Sequence, residues 1–138
     1  MKKKLVTTLA LVALGSAGLI AAAPNSGATT GVKTLGACAD SGAFYLYEWP
    51  HYGTSVAKFK CDDRDLRNNK YSGSGDDVND HTKSMKNKTP NRVYIYQKVG
   101  CQGAVYTAKP NSEDKDLYHN SNNPKMTGGS CVLFGGSN

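Results

Sequence analysis

An internal repeat of about 50 residues constrains this chain more than any other feature. Phe44-Tyr45-Leu46-Tyr47 leads through a turn to Gly53 and a second apolar run, then to a polar stretch ending in Asp65-Leu66. Val93-Tyr94-Ile95-Tyr96 does the same through Gly103 to Asp116-Leu117. Each half continues into an Asn- and Asp-rich loop, Asn79-Asp80 followed by Ser84 in one and Asn122-Asn123 followed by Thr127 in the other. A unit built on one hairpin has an apolar face that it cannot bury alone, so two such units are expected to pack face to face as a sandwich.

The apolar residues between these landmarks alternate in short runs bounded by Gly, Asn, Asp and Pro, the pattern of half-buried strands, with little helical periodicity. Residues 43–47, 55–59, 92–96, 104–108 and 131–134 are the runs, and an all-β fold follows. Tyr45 or Tyr47, Val56, Phe59, Val93, Ile95, Val105 and Leu133 are the expected core.

Met1 is followed by three lysines, a charge-free apolar run from Leu5 to Ile20, and Ala21-Ala22-Ala23. That order predicts a secretory signal over residues 1–28, with cleavage near 22–28, because the apolar run is too short and lacks the flanking charge of a membrane anchor. Residues 29–37 read as a flexible arm, and 38–138 as one domain with halves of about 38–90 and 91–134. Lys2, Lys3 and Lys4 go with the leader, which leaves 14 Lys and Arg against 11 Asp and Glu, a net charge of +3. So mild a balance argues against a nucleic-acid partner. Cys38, Cys61, Cys101 and Cys131 all lie in the mature part. In an oxidising extracellular setting an even set of widely spaced cysteines predicts two disulfides, with three connectivities open, of which Cys38–Cys61 and Cys101–Cys131 suits the repeat best.

Tyr96 to Gly103 resembles the folded hairpin of βγ-crystallin Greek keys (aromatic, four residues, aromatic, one residue, glycine), with Cys101 at the second aromatic position. Tyr47, Tyr52 and Gly53 follow the pattern with one residue missing. Glycine is expected there because the hairpin demands φ > 0. With its leader and paired cysteines, the chain is similar over Cys38 to Phe134 to the small secreted bacterial proteins of peptidase inhibitor family 36, typified by a streptomycete metalloproteinase inhibitor. The resemblance rests on Phe44 to Glu48, Asp80 to Ser84 with Asn87, Val93 to Tyr96, Cys101-Gln102-Gly103 and Asp116-Leu117. It implies a βγ-crystallin-like sandwich of two Greek keys and a rigid, disulfide-held loop that blocks an extracellular protease of the metallo or serine type. The segment Cys131-Val132-Leu133-Phe134 is the candidate inhibitory loop, although the second cysteine that would close it tightly is absent and the same residues also read as the last core strand.

βγ-crystallin domains also bind calcium through loops of the form Asn/Asp, Asn/Asp, two residues, Ser/Thr, Ser, whose oxygens suit a hard cation. Asn79, Asp80 and Ser84 form one such set and Asn122, Asn123 and Thr127 the other, but Lys83 and Met126 stand where a hydroxyl belongs. No other cofactor is implied, and His51, His81 and His119 are not spaced with a partner acid or nucleophile, so a monomeric non-enzyme is expected. The alternative is a secreted binding or antimicrobial module for cell-wall or other anionic surfaces. It would use the lysines Lys83, Lys86 and Lys88 and the hairpin turn Trp49-Pro50-His51-Tyr52, aromatic residues being enriched at contact hot spots. Solvated loops explain both the lysines and the cluster Asp62, Asp63, Asp65 more simply.

Overall fold

The computed structural model describes residues 37–120, 126 and 128–137. The expected leader, most of the arm, and the second calcium-type set Asn122, Asn123 and Thr127 lie outside the described residues. The chain folds into strands β1 (Phe44–Tyr47), β2 (Val56–Phe59), β3 (Ser84–Asn87), β4 (Asn91–Lys98), β5 (Gln102–Ala108), β6 (Glu113–Asp114) and β7 (Cys131–Ser137), with one short 3-10 turn at Leu66–Asn68. One antiparallel sheet has the order β2-β1-β3-β6 and the other β5-β4-β7. No helix among the described residues is long and apolar enough to cross a membrane.

The halves of the repeat do not form separate sheets. β6, from the second half, adds to the first sheet by pairing Met85 with Asp114 and Lys86 with Glu113. In return Asp63, from the first half, pairs with Val132 of β7: the Asp63 N–H donates to the Val132 carbonyl at 2.8 Å and the Val132 N–H to the Asp63 carbonyl at 2.7 Å. Each exchanged segment then turns a buried leucine into the core, Leu66 in one and Leu117 in the other. The turns are chemically the same. Asp63 Oδ1 accepts from the Asp65 N–H at 3.0 Å and Asp114 Oδ1 from the Asp116 N–H at 2.9 Å, while Asn69 and Asn120 amides donate to the second oxygens of Asp63 and Asp114. Asp62 accepts from the Phe134 N–H at 2.6 Å. The acidic cluster that reads as a solvated loop therefore fastens one half to the other.

Alternation runs as expected, but in the first sheet with the opposite parity. Phe44 and Leu46 point inward at 0% exposure and Ala57 and the expected Phe59 are buried beside them, whereas Tyr45, Tyr47 and Val56 are half-buried on the outer face. In the second sheet Val93, Ile95, Tyr106, Ala108, Val132 and Phe134 face the core, and Val105 lies outside. Leu133 is buried but outside this core cluster. In runs such as Phe-Tyr-Leu-Tyr both parities are apolar, so a period of two cannot choose between them; the tyrosine hydroxyls favour the wetter face. Phe44 meets Phe134 edge to face at 6.4 Å, a contact between the two sheets.

The corner joining the halves is held by a buried polar side chain. Asn87, at 0% exposure, donates through Nδ2 to the carbonyls of Asn91 at 2.8 Å and Lys109 at 2.9 Å, and its Oδ1 accepts from the Thr89 hydroxyl at 2.7 Å and N–H at 3.1 Å. Asn87→Asp keeps the shape but turns the donor into an oxygen facing carbonyl oxygens. Urea unfolding at pH 7 is expected to show a loss of more than about 2 kcal/mol, against about 0.5 kcal/mol or less for Lys109→Gln.

Candidate functional site

The candidate inhibitory segment is not a loop. Cys131, Val132 and Phe134 are fully buried in β7, which is hydrogen-bonded to β4 on one side and to the Asp62–Asp63 segment on the other. Leu133, across from Tyr94, is 7% exposed. An apolar run next to a cysteine reads equally as an anchor for a cleft or as core, and burial decides for the core.

The disulfides join Cys38 to Cys61 and Cys101 to Cys131. The second has one buried end, Cys131, and one half-buried end, Cys101, at the tip of the β4–β5 hairpin. That tip pairs Lys98 with Gln102 and turns through Val99, Gly100 and Cys101, of which Gly100 and Cys101 adopt φ of 73° and 62°. The Gly100 N–H donates to the Arg64 carbonyl at 2.9 Å, so the tip is held by a covalent bond and a main-chain hydrogen bond to the other half. Gly103 has φ +80°, as its place in the hairpin pattern predicts, and a Cβ there would stand 3.3 Å from Cγ of Lys98. Lys98, Gly100, Gln102 and Gly103 are exposed, and Val99 is half-buried. In the sequence Cys101-Gln102-Gly103 reads as a hairpin signature and not as a contact surface; a tethering cysteine between two glycines is the signal that points to the latter.

The equivalent turn of the first half carries Trp49, 50% exposed. Gly53 here has no positive φ, contrary to expectation. The left-handed residues are His51 and Tyr52, at φ 56° and 59°, and Gly53 is needed because a Cβ would lie 2.9 Å from that of Trp49. The turn is latched by Ser84, whose hydroxyl donates to the Trp49 carbonyl at 2.7 Å and accepts from the Tyr52 N–H at 3.2 Å, and by the His51 N–H donating to the Lys115 carbonyl at 2.8 Å. The Lys83 ammonium sits 4.4 Å from the centre of the Trp49 ring. Ser84, read as a cation ligand, is thus committed to the turn, and Lys83 to the indole.

Of the same set, Asp80 has φ 62°; its carboxylate accepts from the Asn79 amide at 2.7 Å and the Ser130 hydroxyl at 3.1 Å. Asn79 Oδ1 is buried without a partner. Among the described residues, no three His, Cys, Asp or Glu side chains are grouped to hold a metal ion.

The histidines are dispersed. His51 is on the Trp49 turn, His81 bonds to the Asp77 carbonyl at 2.9 Å, and Nδ1 of His119 is 2.7 Å from Asp116. The last pair borders an open pocket of about 480 Å³ with Pro50, Lys83 and Tyr118. Nδ1 of His119 holds the Asp116 carboxyl below its ordinary range, helped by the N–H groups of Tyr118 and His119. A carboxyl depressed on folding contributes stability above its ordinary pKa and loses it as pH falls through the lowered value. The pair is exposed, so its contribution is small. His119→Ala is expected to raise the Asp116 midpoint in an NMR titration with little change in melting temperature at pH 7.

A family model described as peptidase inhibitor family I36 matches residues 36–108, more than half of the chain, and the protein belongs to that family. Membership implies a peptidase as partner, and with two disulfides it is consistent with an extracellular protein. No curated protein matches the chain. Among solved structures, one from work on the evolution of the eye lens βγ-crystallin domain fold is 19% identical at a TM-score of 0.54, covering 72% of this chain and 95% of its own. A βγ-crystallin from Ciona intestinalis is 18% identical at 0.50, covering 67% and 99%. The fold is that of the βγ-crystallins.

Proposed function

We propose that this protein is exported and blocks an extracellular peptidase with the tip of its β4–β5 hairpin, Lys98 to Gly103. The observation that carries the reading is the tether: the exposed tip holds the half-buried end of a disulfide whose other end is buried in the core. An inhibitor competes with substrates by losing little entropy on binding and by resisting displacement after contact, and a loop already held by a disulfide and by Arg64 meets both needs. Lys98 and Val99 would supply the specificity contacts, a basic and a branched apolar side chain beside the turn. The leader-like residues 1–28 support the export half of the reading.

The oxidised mature protein is expected to inhibit at least one of thermolysin, subtilisin and trypsin at a small molar excess. Replacing both Lys98 and Val99 by Ser is expected to raise the inhibition constant at least about tenfold, a loss on the scale of a contact hot spot, without changing the melting temperature. Full inhibition by that variant would place the contact elsewhere, and no inhibition by the parent protein at micromolar excess would overturn the reading.

A further inference from the structure

The outer face of the first sheet carries a row of aromatic rings and ammonium groups that includes none of the residues Lys98 to Gly103. Register places Tyr45 of β1 directly between Lys58 of β2 and Lys86 of β3, and Glu113 of β6 beyond Lys86. Adjacent strands are about 4.8 Å apart, so the two lysines flank the ring at a separation of about 10 Å at the backbone. Lys58 lies 5.9 Å from the centre of the Tyr45 ring. Tyr52 folds back from its turn to meet the Tyr47 ring at 5.5 Å, and Lys86 stands 4.0 Å over it. Lys86 and Lys88 both reach Glu113, at 3.6 and 3.7 Å, so two lysines share one carboxylate. Burial and neighbouring carboxylates push the Tyr47 and Tyr52 phenols up, which keeps them neutral hydrogen-bond donors at any physiological pH.

We propose that this face binds an anionic polysaccharide, a polyuronate whose sugar rings each carry one carboxylate and several hydroxyls. The ammoniums are the free ends of flexible stems, so they can turn to carboxylates while the tyrosine rings take the C–H faces of the sugars. Glu113 and the phenols supply acceptors and donors for hydroxyls. A nucleic acid has far fewer hydroxyls to offer Glu113, so the carboxylate among the lysines favours a sugar polymer over it. None of Lys98 to Gly103 belongs to it, so the site stands or falls apart from the inhibitory tip.

The test uses the oxidised mature protein with alginate oligomers, neutral dextran oligomers of equal length, and oligothymidylate as probes. Alginate is expected to bind, to weaken with added salt, and to bind at least about tenfold more weakly to the Lys58→Gln/Lys86→Gln double variant and to Tyr45→Val, each losing a charged or stacking contact. Melting temperature and peptidase inhibition of the variants are expected to match the parent. Equal binding of dextran, unchanged alginate binding by folded variants, or tighter binding of oligothymidylate would each overturn the proposal. So would sedimentation as a dimer that Tyr45→Val dissociates, which would assign the face to a second copy of the chain.

Discussion

The structure depends on the reciprocal exchange by which each half lends a short segment to the other's sheet. Asp63 completes the edge of β7, and Glu113–Asp114 completes the edge of β3. The exchange covers main-chain edges that would otherwise stay open and carries Leu66 and Leu117 into the shared core. It is enforced by the same arrangement twice, an aspartate accepting from the N–H two residues on and from an asparagine amide, at Asp63 and at Asp114. Those turn bonds lie within each half, but the pairings they present, Asp63 with Val132 and Met85–Lys86 with Glu113–Asp114, need both halves at once.

That interlocking turns the two hairpin tips into fixed features. The β4–β5 tip is tied to β7 through the Cys101–Cys131 bond and to the first half through Arg64, while the Trp49 turn is tied to β3 through Ser84 and to the second half through Lys115. Two left-handed residues in succession, His51 and Tyr52, persist because several hydrogen bonds and the Tyr47 ring over-determine them. Rigid turns on a rigid sandwich are what a family of inhibitors needs, since a loop that must be ordered on binding gives up affinity. The outer tyrosine face is a by-product of the same alternation: the β1 residues turned away from Phe44 and Leu46 are Tyr45 and Tyr47, and Tyr45 has a lysine across from it on either side.

Much of the architecture was legible because repetition and alternation are properties of order along the chain. The two apolar hairpins, Asp65-Leu66 against Asp116-Leu117, and Gly103 are visible without any coordinates. What misled was chemistry that is the same on both sides of a boundary. Cys131 to Phe134 suits a protease cleft or a core equally, and only the burial of β7 between β4 and the Asp62–Asp63 segment chose. Tyr45 and Tyr47 are as apolar as Phe44 and Leu46 by pattern, and the parity was set by which face met the second sheet. Asp62 and Asp63, polar and charged, gave no sign of serving as fasteners, because their partners, Phe134 and Val132, lie about 70 residues further on.

The amino-acid sequence alone determined a twofold repeated all-β chain with four cysteines placed two to a half, since periodicity and spacing survive without a third dimension. Only the tertiary structure decided which end of the second disulfide faces outward, which face of each strand is wet, and which aspartates hold the halves together. Those are long-range outcomes, fixed when two sheets compete for the same apolar surface and when one chain's distant edges must satisfy each other's hydrogen bonds.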